Sequence, residues 1–300
     1  MITPPALQPG DKVGIVAPAR KISKQNLDTA IKLIHSWGLQ VVLGQHVFSE
    51  THSYLSAQDD RRRIDFQHML DDAQTKAIIC ARGGYGSTRF IDRVDLGPLL
   101  TNPKWIVGFS DITAVHLKLF CAGFQSIHAT MPVLFDRPDA QLSVESLRKV
   151  LFGEAPVIEA STNPANRLGT ASGIAIGGNL SLINDSLGTN SEPDTTGKIL
   201  IVEEIDEYLY RLDRMFTQLK RAGKLEKLAG LVVGHMTDIK DTELSFGEDV
   251  ESIIANAVRD YSFPVAFNFP IGHDQPNMAW VHGSEMTLTV ETAGSVLKMD

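Results

Sequence analysis

The first half of the chain alternates short apolar runs with segments of helical period, and this alternation restricts the fold more than any other feature. Lys12-Val13-Gly14-Ile15-Val16-Ala17 is an apolar run stopped by Pro18, the pattern of a buried strand. A helix follows. Ser23 is placed to cap it, Leu27, Ala30, Ile31 and Ile34 fall at i, i+3, i+4 and i+7, and Gly38 closes it. Residues 40–43 read as a strand, 61–70 as a helix and 76–81 as a strand. Residues 105–109 form a further strand leading into a helix over 111–120. Strands separated by helices in this way pair in parallel, with helices on both faces of the sheet. Functional groups then collect at the carboxyl ends of the strands.

A break comes at residues 153–168, where Pro156, Ser161, Thr162, Asn163, Pro164 and Asn166 replace the apolar pattern. With about 100–200 residues to a domain, the 300 residues divide into 1–155, a linker at 156–172, and 173–300. The last part holds strand-like runs at 198–202, 231–233 and 264–267. It also holds an amphipathic helix with Leu209, Leu212, Phe216 and Leu219 on one face, and an alternating tail at 286–290.

Charge narrows the function. The 28 basic and 36 acidic residues leave a net charge of −8, and no basic patch suited to nucleic acid is present. Arg61-Arg62-Arg63 is flanked by Asp59, Asp60 and Asp65 and reads as a solvated helix face. No apolar run approaches the roughly 18 residues of a membrane span. Met1-Ile2-Thr3-Pro4-Pro5 lacks the basic start and apolar core of a signal peptide, so a cytoplasmic chain is expected. Cys80 and Cys121 both sit in apolar surroundings and read as buried small hydrophobes. Without an HExxH motif or paired Cys/His spacing, no metal or other cofactor is expected.

Gly108-Phe109-Ser110-Asp111 is the sharpest chemical feature. A strand ends, a glycine permits a tight turn, and a serine stands where a helix begins, which exposes a hydroxyl beside free backbone N–H groups. A plain helix cap would give the same pattern. A serine nucleophile needs a base, and His116, six residues further along the helix, faces elsewhere. His35, His46, His52 and His68 read as surface residues, His128 as a satisfied core histidine and His282 as structural. His235 and His273 both follow strand-like runs, and His273 stands in the rigid loop Pro270-Ile271-Gly272-His273-Asp274-Gln275-Pro276. Glu203 and Glu204 end an apolar strand, where buried acids need partners. Arg82-Gly83-Gly84-Tyr85-Gly86-Ser87 lacks the Lys-Ser/Thr of a phosphate loop, and Arg89 stands where a dinucleotide fingerprint wants glycine. Its backbone N–H groups suit a reacting carbonyl better.

Taken together these segments resemble the LD-carboxypeptidase family of serine peptidases, which includes muramoyltetrapeptide carboxypeptidases and microcin C self-immunity proteins. The resemblance runs from Gly10-Asp11-Lys12-Val13 to Gly272-His273, through Gly177-Gly178-Asn179-Leu180 and Tyr210-Arg211-Leu212-Asp213-Arg214. It implies a smaller β-rich C-terminal domain beside the α/β domain, and a homodimer. It also implies a triad of Ser110, Glu203 and His273, with an oxyanion hole from Asp111, Gly83 and Gly84. The family's acid is the first of a Glu-Asp pair, here Glu203-Glu204. Arg82, Tyr85 and Arg89 are expected near the substrate. The implied reaction is loss of D-Ala from a muropeptide tetrapeptide in cell-wall recycling. Two other readings are hydrolysis of a microcin C-type aminoacyl-nucleotide, and a non-catalytic two-lobed ligand-binding protein. A pure binder would have no need of all three triad residues.

Overall fold

The computed structural model describes residues 1–49 and 51–300. The opening apolar run forms β1 (Lys12–Val16), which lies between β2 (Gln40–Leu43) and β3 (Thr75–Cys80) and pairs with both in parallel. β4 (Trp105–Gly108) and β5 (Ser126–His128) extend the parallel order beyond β3. Between the strands run α1 (Lys24–Ser36), α2 (Asp59–Asp71), α3 (Pro98–Thr101) and α4 (Thr113–Cys121), and α5 (Gln141–Leu151) follows β5. Ser23 caps α1 by accepting from the Asn26 N–H at 3.2 Å.

Strand alternation explains why helices cover both faces. Ala77 and Ile79 of β3 join Val13, Ile15 and Val107 in a core against α1 and α5. Ile78 and Cys80 join Val16 and Ile106 in a second core against α2 and α4. The central stretches of β1, β3 and β4 are therefore continuously apolar, as parallel strands buried on two sides must be.

The chain then crosses to a second sheet. β6 (Val157–Ala160) forms one edge of it, and β7 (Gly169–Asn179), β8 (Lys198–Ile205), β9 (Gly230–Thr237) and β10 (Val265–Ala266), the last at the other edge, run parallel to one another. β11 (Trp280–His282) returns to the first sheet, antiparallel to β5. β12 (Glu285–Glu291) and β13 (Gly294–Met299) complete the second sheet as antiparallel strands between β7 and β6. One face of this sheet packs under α6 (Leu180–Asp185), α7 (Leu209–Arg221) and α8 (Val250–Ala257). The other face packs on Trp280, Phe269 and Ile271.

Four expectations need correction. The expected linker is not free of regular structure: β6 lies within it and β7 begins at Gly169. The signal was four residues, Val157-Ile158-Glu159-Ala160, whose alternate burial was hidden among prolines and asparagines. Residues 280–282 belong to the first sheet, so no single cut in the sequence separates the two sheets. Arg62 is buried rather than solvated. Its guanidinium donates to the carbonyls of Ala57 at 3.1 Å, Gly86 at 2.8 Å and Pro18, and sits 5.2 Å from the Phe90 ring. Cys121 is exposed, whereas Cys80 is buried as expected, because Cys121 ends α4 beyond the last residue that faces the core.

Candidate active site

The turn after β4 is built for close approach. A Cβ on Gly108 would lie 2.8 Å from Cγ1 of Ile112, so only glycine lets the chain fold straight into the one-turn helix Ser110–Ile112. Ser110 itself has φ of +62°, a left-handed conformation rare outside glycine. Such strain at a non-glycine residue costs about 1–3 kcal/mol and persists only where the surroundings enforce it. The Ser110 hydroxyl does not cap the helix. Its partner is Nε2 of His273, at 3.0 Å.

His273 comes from the loop after β10, and its Nδ1 lies 2.6 Å from Oε2 of Glu203. The loop is pressed onto β8: a Cβ on Gly272 (φ +124°) would come within 2.9 Å of the Glu203 side chain. Asn277 holds the same glycine, its Oδ1 accepting from the Gly272 N–H at 3.0 Å. Glu203 is fully buried, and the Phe109 ring stands 4.9 Å from the imidazole. The two acids of β8 point apart. Ile199 and Ile201 share the Glu203 face against Ile271 and Trp280, and Leu200 and Val202 share the Glu204 face against α6 and α7. On that side Glu204 accepts from Asn179 Nδ2 (2.8 Å), Ser181 Oγ (2.6 Å) and the N–H groups of Ser181 (2.8 Å) and Ile205 (2.9 Å).

The glycine loop reaches the serine from the other side. A Cβ on Gly83 would meet Cβ of Ser110 at 3.1 Å, and Gly84 adopts φ of +110°. The buried Asp111 carboxylate accepts from the N–H groups of Gly86 (3.1 Å) and Ser87 (2.9 Å), while Arg62 holds the Gly86 carbonyl. Asp111 thus ties the loop to the serine turn, and its own N–H, second in a one-turn helix, has no intrahelical partner. Tyr85 is half exposed, and Arg82 donates to the Lys21 carbonyl at 3.2 Å. Arg89 is occupied by Asp59, which it grips at 2.9 and 3.1 Å. Arg62, Asn277 and the Asp111 side chain are site-building groups that the sequence reading missed. For Arg62 a signal existed: it lies at i, i+4, i+7 with Phe66 and Met69, on the buried stripe of α2.

Residues 13–129 match the LD-carboxypeptidase N-terminal domain and residues 172–288 the LD-carboxypeptidase C-terminal domain. The chain belongs to the LD-carboxypeptidase family. It is 34% identical over 300 residues to the probable murein peptide carboxypeptidase of Bacillus subtilis (strain 168), covering 98% of this chain and 94% of that one. The crystal structure of muramoyltetrapeptide carboxypeptidase from Oxalobacter formigenes is similar at a TM-score of 0.88 and 26% identity, covering 96% and 98% of the two chains. The microcin C7 self-immunity protein MccF, solved in complex with aspartyl sulfamoyl adenosine, shares the fold. Its TM-score is 0.87 at 18% identity, over 100% of this chain and 99% of that one.

The other histidines of this LD-carboxypeptidase sort by their partners. His116 is buried behind the serine turn, bonded to the Gly108 carbonyl (2.9 Å) and Ser126 Oγ (2.8 Å). His282 accepts from the Gly177 N–H at 3.1 Å and so joins the two sheets. His128 is buried but not satisfied as expected: among the described residues neither ring nitrogen has a hydrogen-bond partner. It is held by ring contacts instead, stacked 5.2 Å from Trp280 and edge-on 5.8 Å from Phe109. His46 is half-buried against Asp65 at 2.7 Å rather than on the surface. His235, on β9, is tied through its backbone N–H to the Ile271 carbonyl at 2.7 Å, and its ring does not meet Ser110.

Burial pushes the His273 imidazole toward neutrality, but the charge and hydrogen bond of Glu203 outweigh it and raise its pKa above the ordinary value. An imidazole that serves a serine nucleophile as base must be neutral to accept its proton, so with His273 in that role activity is expected to fall as pH drops through the raised pKa. The expected pH profile of kcat/KM therefore has an acid limb with its midpoint above about 6.5, the ordinary histidine value. A midpoint at or below that value would show that desolvation wins.

Proposed function

We propose that this protein is a serine-type L,D-carboxypeptidase that removes the terminal D-alanine from peptidoglycan tetrapeptides during cell-wall recycling in the cytoplasm. One observation carries the reading: an unbroken relay from Ser110 Oγ through His273 to the buried Glu203, at 3.0 and 2.6 Å. His273 Nε2 takes the hydroxyl proton as Oγ attacks the carbonyl carbon that precedes the D-residue. The negative oxygen of the tetrahedral intermediate faces the N–H groups of Asp111 and of the Gly83-Gly84 turn, which are fixed before the reaction begins. As the C–N bond breaks, His273 returns the proton to the departing amine of D-alanine. Water then gives a proton to His273 and attacks the acyl-serine, releasing the tripeptide and restoring the hydroxyl. Glu203 holds Nδ1–H and stabilises the imidazolium that forms twice in this cycle.

The choice of a muropeptide substrate is supported by the names of the relatives in Bacillus subtilis and Oxalobacter formigenes. Purified protein in the presence of a chelator is expected to release free D-alanine from an L,D-linked muropeptide tetrapeptide. A coupled D-amino-acid oxidase assay measures it. Activity that vanished with chelator and returned with zinc would overturn the serine mechanism. Turnover of an aminoacyl-adenylate analogue alone would move the chain to the self-immunity branch of the family.

A further inference from the structure

A carboxypeptidase, unlike an endopeptidase, has to recognise a chain end, and the group that marks that end is a carboxylate. Its position is narrow once the nucleophile is fixed. Only one residue follows the scissile bond, so the carboxylate lies about one Cα spacing, ~3.8 Å, beyond the reacting carbonyl.

Sheet order limits which cations can stand there. β4, β3 and β1 are consecutive neighbours, and their carboxyl ends carry Ser110, the Arg82 to Gly86 loop, and Arg20. Neighbouring strands are about 4.8 Å apart, so the β1 and β4 ends are separated by roughly 10 Å, a gap that an extended arginine can largely cross. The glycine pair between them touches both residues. Gly83 abuts Ser110, whereas a Cβ on Gly84 would come within 3.0 Å of Cβ and 3.4 Å of Cδ of Arg20, and 3.3 Å of the Tyr54 hydroxyl. The Arg20 N–H donates to the Gly83 carbonyl at 3.2 Å, locking the two loops together.

The Arg20 guanidinium is exposed and positioned by an aromatic ring, with its centre 5.1 Å from the centroid of Tyr54. Among the described residues no carboxylate pairs with it. The other arginines of this rim are committed: Arg62 to carbonyls and Arg89 to Asp59. Arg82 stands beside Arg20, and its pKa is lowered first by burial and then by the Arg20 charge. Two cations held together without an anion attract one. A guanidinium fork also matches the planar shape of a carboxylate.

We propose that Arg20, assisted by Arg82, binds the free terminal carboxylate of the residue that is cleaved off, and so makes the enzyme an exopeptidase. This rests on the carboxypeptidase reading above. Contact with the carboxylate is made in ground state and transition state alike, so its loss raises KM more than it lowers kcat.

The test compares two substrates, the L,D-tetrapeptide ending in D-alanine and the same peptide ending in D-alaninamide. The parent enzyme should prefer the carboxylate strongly. Arg20→Ala should lose on the order of 10²-fold in kcat/KM on the carboxylate, mainly through KM, and change little on the carboxamide. Arg20→Lys, which keeps the stem against Gly84, should fall between them, and thermal melting of each variant separates a local effect from misfolding. A parent that cleaves both substrates equally, or a folded Arg20→Ala variant that keeps the parent's preference, overturns the carboxylate site while leaving the carboxypeptidase reading intact. A parent that releases D-alanine or D-alaninamide from neither substrate overturns that reading and this site with it.

Discussion

Ser110→Ala is expected to lose about 10⁴–10⁶ in kcat, the scale on which a triad nucleophile acts. Its fold should be unchanged, since the hydroxyl meets His273 and caps no helix. Alanine does not relieve the left-handed backbone at this position, so the melting temperature should stay near that of the parent. Glycine does relieve it. Ser110→Gly should therefore be as inactive as Ser110→Ala but more stable, by about 1 kcal/mol. Steady-state kinetics with calorimetry on the two variants checks both statements. More than a tenth of parental activity in Ser110→Ala would remove the serine from the mechanism.

Glu203→Gln is expected to cost roughly 10⁴ in kcat, as replacing the orienting acid of a triad by its amide does. The amide keeps the size of the side chain but loses the charge that stabilises the imidazolium, and it can offer a donor where Nδ1–H needs an acceptor. Glu204→Gln should cost tenfold or less in kcat. Its penalty falls on stability, about 1–3 kcal/mol, because the new amide nitrogen must face donors of Asn179, Ser181 or Ile205. The kcat values of the two variants, set beside their melting temperatures, are the measurement. A larger kcat loss at Glu204 would transfer the role to it.

The parallel core of the first sheet was legible because its central strands carry continuous apolar runs, and β1 stops just before Pro18. β6 and β11 were not: the alternation of β6 is masked by the prolines and asparagines around it, and the three residues of β11 are too few for a period to show. The site was legible in its parts but not in its assembly. Ser110 and His273 are 163 residues apart, and His273 and Glu203 are 70 apart, so no local pattern links them. Strand period does put Glu203 and Glu204 on opposite faces. Both faces are apolar, however, and which of them looks toward the His273 loop is a property of how the two sheets pack. Arg20 carries no signal in the sequence, since an isolated arginine after Pro18-Ala19 has no meaning until β1 is known to lie two strands from β4.

The return of β11 to the first sheet also determines what the N-terminal half would be without the rest. β5 would then end the sheet as a bare edge, its row of N–H and C=O groups from Ser126 to His128 open to any other strand. An isolated N-terminal half is on this account expected to expose a short unpaired edge that the whole chain covers. The strand that covers it begins seven positions after His273, so the segment that brings His273 to Ser110 is also the one that completes the sheet on which Ser110 stands.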